Sequence, residues 1–331
     1  MVDEPKPLLE YLKIAFLVLV STSVTVVVCA IAGEVILDAQ YERWKSDFRA
    51  NGEWYGGLTV ISDNPNLMWE YRPNAISSDP RIVEIRTNQH GFRDSKSKTI
   101  DKPNNTFRIA FIGDSVTLGY NVERQHGFVH KFEEYANTNI SDVKIQSLNF
   151  GIDSYNTFQV HELLVSRVLA FNPDKVIYMM CLNDFVFGGG SFDNKARYFI
   201  KPESFILEFL QKVYRRLRRI DFHQWYFIQN KQRVFDRITE MKHLISEQDI
   251  EFQILVLPVF RFEGSEENYK NYPFDNMHRE IDEFLLKEHI AFVDLLEHFK
   301  NQGKPPASFS TDIWHPNEEG HDIIAKVLVD R

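Results

Sequence analysis

From Ile14 to Gly33 the chain runs twenty residues, IAFLVLVSTSVTVVVCAIAG, without one charge. At ~1.5 Å of rise per residue, a helix of that length covers roughly 30 Å, the thickness of a bilayer's hydrocarbon layer. Buried helices of globular domains seldom go so far without a polar face, so the run predicts a membrane-spanning helix and a membrane partner through residues 14–33. Ala30-Ile31-Ala32 also fits the small-x-small pattern of a signal-peptidase site, while Val28 ahead of Cys29 argues against a lipoprotein signal. Before the run, Lys6 and Lys13 are offset by Asp3, Glu4 and Glu10; after it come Arg43, Lys45 and Arg49. Charge counting therefore does not fix the orientation. The expectation is an uncleaved anchor in residues 1–37, with the remainder outside the cytoplasm, periplasmic or on the cell surface.

That remainder has the composition of a folded protein. Of 331 residues, 44% are hydrophobic and 26% charged, enough apolar surface for a large core and too much for a disordered chain. Lys and Arg number 38 against 47 Asp and Glu, and a net charge of −9 is the wrong sign for coating nucleic acid, so no nucleic-acid partner is expected. One cysteine, Cys29, lies in the apolar run and the other, Cys181, in a core-type strand, which makes a disulfide between them an improbable pairing. No His-x-x-x-His pair encloses a glutamate, and neither a metal nor a cofactor is expected.

Residues 38–104 read as a juxtamembrane extension that packs on the main domain. They hold Trp44, Trp54 and Trp69 and the turn formers Asn51-Gly52, Gly56-Gly57 and Asn64-Pro65, with little sustained periodicity. From 105 to 331 the pattern changes. Short apolar runs at Arg108–Ile112, Lys144–Asn149, Lys175–Met180, Phe252–Leu257 and Ala291–Asp294 alternate with helical stretches such as Phe158–Ala170 and Val234–Ile245. Strands separated by helices predict βαβ crossovers, hence a three-layer α/β/α domain around a mostly parallel five-stranded sheet. In such sheets chemistry gathers at the carboxyl ends of the strands.

After the first run comes Gly113-Asp114-Ser115-Val116-Thr117-Leu118-Gly119, where glycines on both sides of a serine allow a sharp turn that exposes the hydroxyl. Near the C-terminal end stands Thr311-Asp312-Ile313-Trp314-His315-Pro316-Asn317-Glu318-Glu319-Gly320-His321. A serine hydroxyl is a poor nucleophile at neutral pH unless an imidazole takes its proton and a carboxylate fixes the imidazole's tautomer. Asp312 and His315 sit three residues apart, so that one loop can aim both at Ser115. Taken singly, each piece also reads as an ordinary turn or a helix start.

Together they resemble the SGNH hydrolase superfamily, the GDSL esterases and lipases, in its membrane-anchored bacterial type. The first block is similar to Gly113-Asp114-Ser115 with Thr117 and Gly119, and the last to Asp312, His315, Pro316, Asn317, Gly320 and His321. Gly151 in Asn149-Phe150-Gly151 and Asn183 in Cys181-Leu182-Asn183-Asp184 stand where the family places its two middle blocks. Cys181 occupies a place where the family usually has glycine. The resemblance implies a Ser115–His315–Asp312 triad and an oxyanion hole made by the Ser115 N–H, the Gly151 N–H and the Asn183 amide. Asp114 reads as structural, and Cys181 as a small buried hydrophobe rather than a reactive thiol.

The function so implied is a membrane-tethered serine esterase that removes acyl groups, acetyl among them, from an extracytoplasmic carbohydrate or acylated small molecule. The same acyl-enzyme would serve an O-acyltransferase of envelope polysaccharide, and a lysophospholipase or thioesterase is a third enzyme reading. From another class, an interaction module with an envelope protein partner is opposed by the complete triad. A helical insertion at about 203–230 interrupts the α/β rhythm, with Phe205, Phe209, Val213 and Leu217 at four-residue spacing beside Lys212, Arg215, Arg216, Arg218 and Arg219. Such a stripe usually lies on its own domain; a basic amphipathic helix can also lie on anionic lipid or dock a partner.

Overall fold

The computed structural model describes residues 8–51, 56–95, 98–139, 142–186 and 204–330. Asp3, Glu4, Lys6, Gly52 and Trp54, and the start of the insertion at 203, lie outside them.

The apolar run is part of one helix, α1 (Leu8–Asn51), whose stretch Glu10–Arg43 is long and apolar enough to cross a membrane. It continues past the expected boundary at 37 because neither glycine nor proline interrupts the chain between Gly33 and Gly52.

The strands are β1 (Thr59–Ile61) and β2 (Trp69–Tyr71), which form an antiparallel pair, and β3 (Thr106–Gly113), β4 (Lys144–Gly151), β5 (Lys175–Cys181), β6 (Glu251–Leu257) and β7 (Ala291–Asp294). The last five make a parallel sheet in the order β4-β3-β5-β6-β7. Its central strands are buried on both faces, which is why they read as continuous apolar runs rather than as alternation. Helices α3 (Phe128–Asn139), α8 (Leu295–Lys300) and α9 (Glu318–Val329) form one flanking layer. The other layer is α4 (Thr157–Leu163), α6 (Phe222–Ser246) and α7 (Asp275–Lys287). The helix expected over Phe158–Ala170 is divided: α4 ends at Leu163, and the chain widens into a π-type turn over Leu164–Val168 before tightening through Leu169–Phe171.

The chain leaves β3 in one direction along the sheet to β4 and then returns past it to β5. The crevice above β3 and β5 is thus the switch point at which open α/β sheets bind ligands. Here β3 runs straight into the short helix α2 (Ser115–Leu118).

The extension packs into the same core. Leu58, Leu67, Trp69, Tyr71, Ile85 and Phe92 are buried with the sheet residues, and the Gln159 side chain donates to the Leu67 carbonyl at 3.0 Å.

The insertion supplies α5 (Phe205–Leu217) ahead of α6. Its apolar stripe is not used as the commoner pattern predicts. Phe205 is buried, but Val213 and Leu217 are exposed, because the side of the helix turned to the protein carries Glu208, Lys212 and Arg215.

Candidate active site

Asp114, between β3 and α2, caps the helix: its Oδ1 accepts the Val116 N–H at 2.9 Å. That fixes the first turn and sets Ser115 at its N-terminal position, where a helical N–H has no acceptor inside the helix. Ser115 is 4% exposed. The Ser115 Oγ lies 2.8 Å from Nε2 of His315, and His315 Nδ1 lies 2.7 Å from Asp312 Oδ2. The other Asp312 oxygen accepts the backbone N–H groups of Trp314 and His315, both at 2.9 Å, so that the loop before α9 holds its own carboxylate in place.

The electrostatics follow from this geometry. Burial works to raise the Asp312 carboxyl, but the bond to His315, its charge and the two backbone donors outweigh it and hold the group at about 2. Burial works to lower His315, and Asp312, with Asp153 and Asp114 behind it, overcomes that and raises the imidazole above its ordinary value. With Nδ1–H held by an ionised carboxylate, Nε2 is left to accept the serine proton. The Tyr120 ring packs against the imidazole at 4.6 Å, and Trp314, next to His315 in the chain, meets His223 edge-on at 4.3 Å.

Asn183, just after β5, donates from Nδ2 to Asp114 Oδ2 at 3.1 Å. An amide nitrogen has two protons, and this bond uses one of them. Cys181 is buried against two carboxylates, its Sγ 3.6 Å from Asp114 Oδ1, and burial with those charges pushes the thiol far up. Its burial fits the small buried hydrophobe better than the reactive thiol.

Gly151 does not match the role expected for it. Its N–H donates to its own neighbour, Asn149 Oδ1, at 2.9 Å, while Asn149 Nδ2 donates to the Thr117 carbonyl at 2.8 Å. A Cβ on Gly151 would stand 2.1 Å from the Leu118 nitrogen. The glycine is there because β4 passes directly under α2, and its N–H is already committed to the bracket that Asn149 makes between the two.

Two supports from the extension were not legible in sequence. The buried Arg93 guanidinium donates to the carbonyls of Leu118 (3.2 Å), Gly119 (2.5 Å) and Val122 (2.8 Å), closing the far end of α2. The buried Tyr71 hydroxyl accepts the Asp153 N–H at 3.1 Å and so pins the loop after β4. His321, beyond the site, accepts the Phe128 N–H at 3.3 Å and stacks on that ring; burial drops it to about 3, leaving a neutral packing histidine.

A serine at the end of a parallel strand, in contact with a histidine that an aspartate orients, is the layout of a serine hydrolase acting on esters. The chain belongs to the GDSL-like lipase/acylhydrolase family, whose model matches residues 111–323. No curated protein matches it in sequence. Among solved structures it is similar to the acetyl xylan esterase AlAXEase at 14% identity, over 67% of this chain and 98% of that one, with a TM-score of 0.47. An acetylxylan esterase from Geobacillus stearothermophilus, solved as a catalytic mutant, gives 16% identity over 67% and 92%, with a TM-score of 0.45. A GDSL-like lipase from Bacteroides thetaiotaomicron gives 19% over 70% and 91%, with a TM-score of 0.42.

Proposed function

We propose that this acyl-ester hydrolase works through Ser115, His315 and Asp312 on a small acyl group, such as acetyl, carried by an extracytoplasmic carbohydrate, while α1 tethers it to the membrane. The observation that carries the reading is the unbroken relay of 2.8 and 2.7 Å from Ser115 Oγ through His315 to Asp312. Ser115 Oγ attacks the ester carbonyl carbon as His315 Nε2 takes its proton. The same proton passes to the leaving alcohol when the carbon–oxygen bond breaks, which leaves an acyl-serine that water then cleaves. The Ser115 N–H and the second Asn183 amide proton stabilise the oxyanion. A serine only 4% exposed, beside a histidine that Tyr120 packs against, favours a short acyl chain.

The test is intact-protein mass spectrometry of the membrane-reconstituted enzyme after exposure to acetylated oligosaccharides, with and without an unacetylated acceptor. Acylation of Ser115 followed by release of free acetate supports hydrolysis. Transfer to the acceptor without release supports the acyltransferase, and undiminished turnover by Ser115→Ala sinks the mechanism.

A further inference from the structure

Helix α5 is amphipathic with its faces reversed. At 100° per residue, Ile206, Leu210, Val213 and Leu217 share one stripe, flanked by Leu207 and Tyr214, and Glu208, Lys212 and Arg215 share the opposite one. A helix held to its domain by burial turns the apolar stripe inward. Here the polar stripe is the half-buried one: the Arg215 guanidinium lies 5.4 Å over the Phe222 ring and donates to the Ile220 carbonyl at 3.3 Å. Leu207, Leu210 and Leu217 are 53%, 56% and 78% exposed.

The start of α5 is fixed to α1 at one particular height. Glu34, the first charge after the uncharged run, accepts the Phe205 N–H at 2.7 Å, the Ile206 N–H at 2.9 Å and the Ser204 hydroxyl at 3.1 Å. Ile206 packs against Gly33, where even a Cβ would come within 3.2 Å of it, and the Tyr41 ring lies 6.1 Å from Phe205. The helix therefore begins where the apolar run ends, at the boundary between hydrocarbon and headgroups if that run spans. Its last turn and the residues beyond carry Arg215, Arg216, Arg218 and Arg219.

We propose that α5 lies in the plane of an anionic membrane surface, its Leu207, Leu210, Val213 and Leu217 face set among the upper acyl chains and the exposed Arg218 and Arg219 just past its end on lipid phosphates. The proposal rests on the reading of Ile14–Gly33 as a membrane segment. Apolar area and positive charge on one short helix are what interfacial binding requires, and the helix starts at the level where the surface would be. Because α5 leads into α6, whose His223 touches Trp314 beside His315, seating the helix also sets the height of the crevice above the lipid.

Full-length protein is reconstituted into phosphatidylcholine vesicles with and without phosphatidylglycerol. A nitroxide is placed on the native Cys29 or, in a Cys29→Ser background, on Leu210→Cys, Leu217→Cys or the exposed reference Glu247→Cys, and collisions with oxygen and with a water-soluble nickel chelate are compared. We expect Leu210 and Leu217 to show the oxygen-rich, nickel-poor signature of Cys29, with the opposite at Glu247, and to lose it partly when phosphatidylglycerol is left out. Unchanged turnover of a soluble ester shows that each labelled protein is folded. If Cys29 reads as lipid-buried while Leu210 and Leu217 are open to nickel, or shielded from both agents by a second copy or by residues 187–203, the proposal is overturned and the anchor stands. A nickel-accessible Cys29 instead removes the anchor itself, and α5 with it.

Discussion

Single side chains decide the chemistry. Ser115→Ala and His315→Ala should each lower kcat by roughly 10⁴-fold or more, and Asp312→Asn by nearly as much through the wrong imidazole tautomer. The double variants should be little worse, since the three act as a unit. Steady-state kinetics on a short-chain ester check this. Asn183→Ala should cost roughly 10²–10³-fold, mainly in kcat, because its donor acts in the transition state; a loss confined to KM would make it a binding residue. The acid limb of the pH profile should lie above the ordinary histidine value near 6.5, because Asp312 raises His315 and only neutral imidazole accepts the serine proton. The sign for stability is opposite: a raised pKa favours the folded protein below the unfolded value, and that contribution fades as pH climbs through the folded one. Asp312, held at about 2, does not titrate in this window, so a limb centred below 6 would contradict the assignment of His315. That Ser115, His315 and Asp312 could meet was legible because turn glycines and a three-residue spacing are local facts. The engagement of the Gly151 N–H was not, since spacing does not say where a neighbouring amide points.

Among elements, α2 shows how much support a four-residue helix needs. Asp114 holds its start, Asn149 its flank and Arg93 its end. Arg93→Ala would leave four carbonyls, those of Glu84, Leu118, Gly119 and Val122, without their donor and should destabilise the fold by roughly 3 kcal/mol, at ~1.5–3 kcal/mol for a charged hydrogen bond, with a matching fall in Tm by calorimetry. Gly151→Ala keeps the N–H but pushes a methyl into the Leu118 backbone. It should therefore slow turnover by displacing Ser115, and full activity in that variant would contradict the packing role. The five strands were legible because burial on both faces leaves unbroken apolar runs. The orientation of α5 was not, because periodicity defines a face without naming what it meets. Arg93 and Tyr71 were hidden for a related reason: their partners are backbone groups far along the chain, which leave no mark in composition.

For the whole molecule, the full chain should sediment with membranes, while a chain beginning at Asp38 should be soluble and still cleave soluble esters, since its hydrolase core is complete without α1. An inactive but folded truncation would show that the anchor does more than tether. The relay at the centre of the site joins residues that lie 200 positions apart, Ser115 behind β3 and His315 just ahead of α9. The His315 loop is held from the α9 side by long-range ties: Asp322 to Lys131 at 2.8 Å, and His321 to Phe128. A contact of that sequence separation forms only once the elements between its partners have docked, so the nucleophile is expected to meet its base late on the folding route. Regain of esterase activity after dilution from denaturant should accordingly trail the regain of helix and sheet signal, making catalysis the last property this chain acquires as it folds and a sensitive gauge of whether folding has finished.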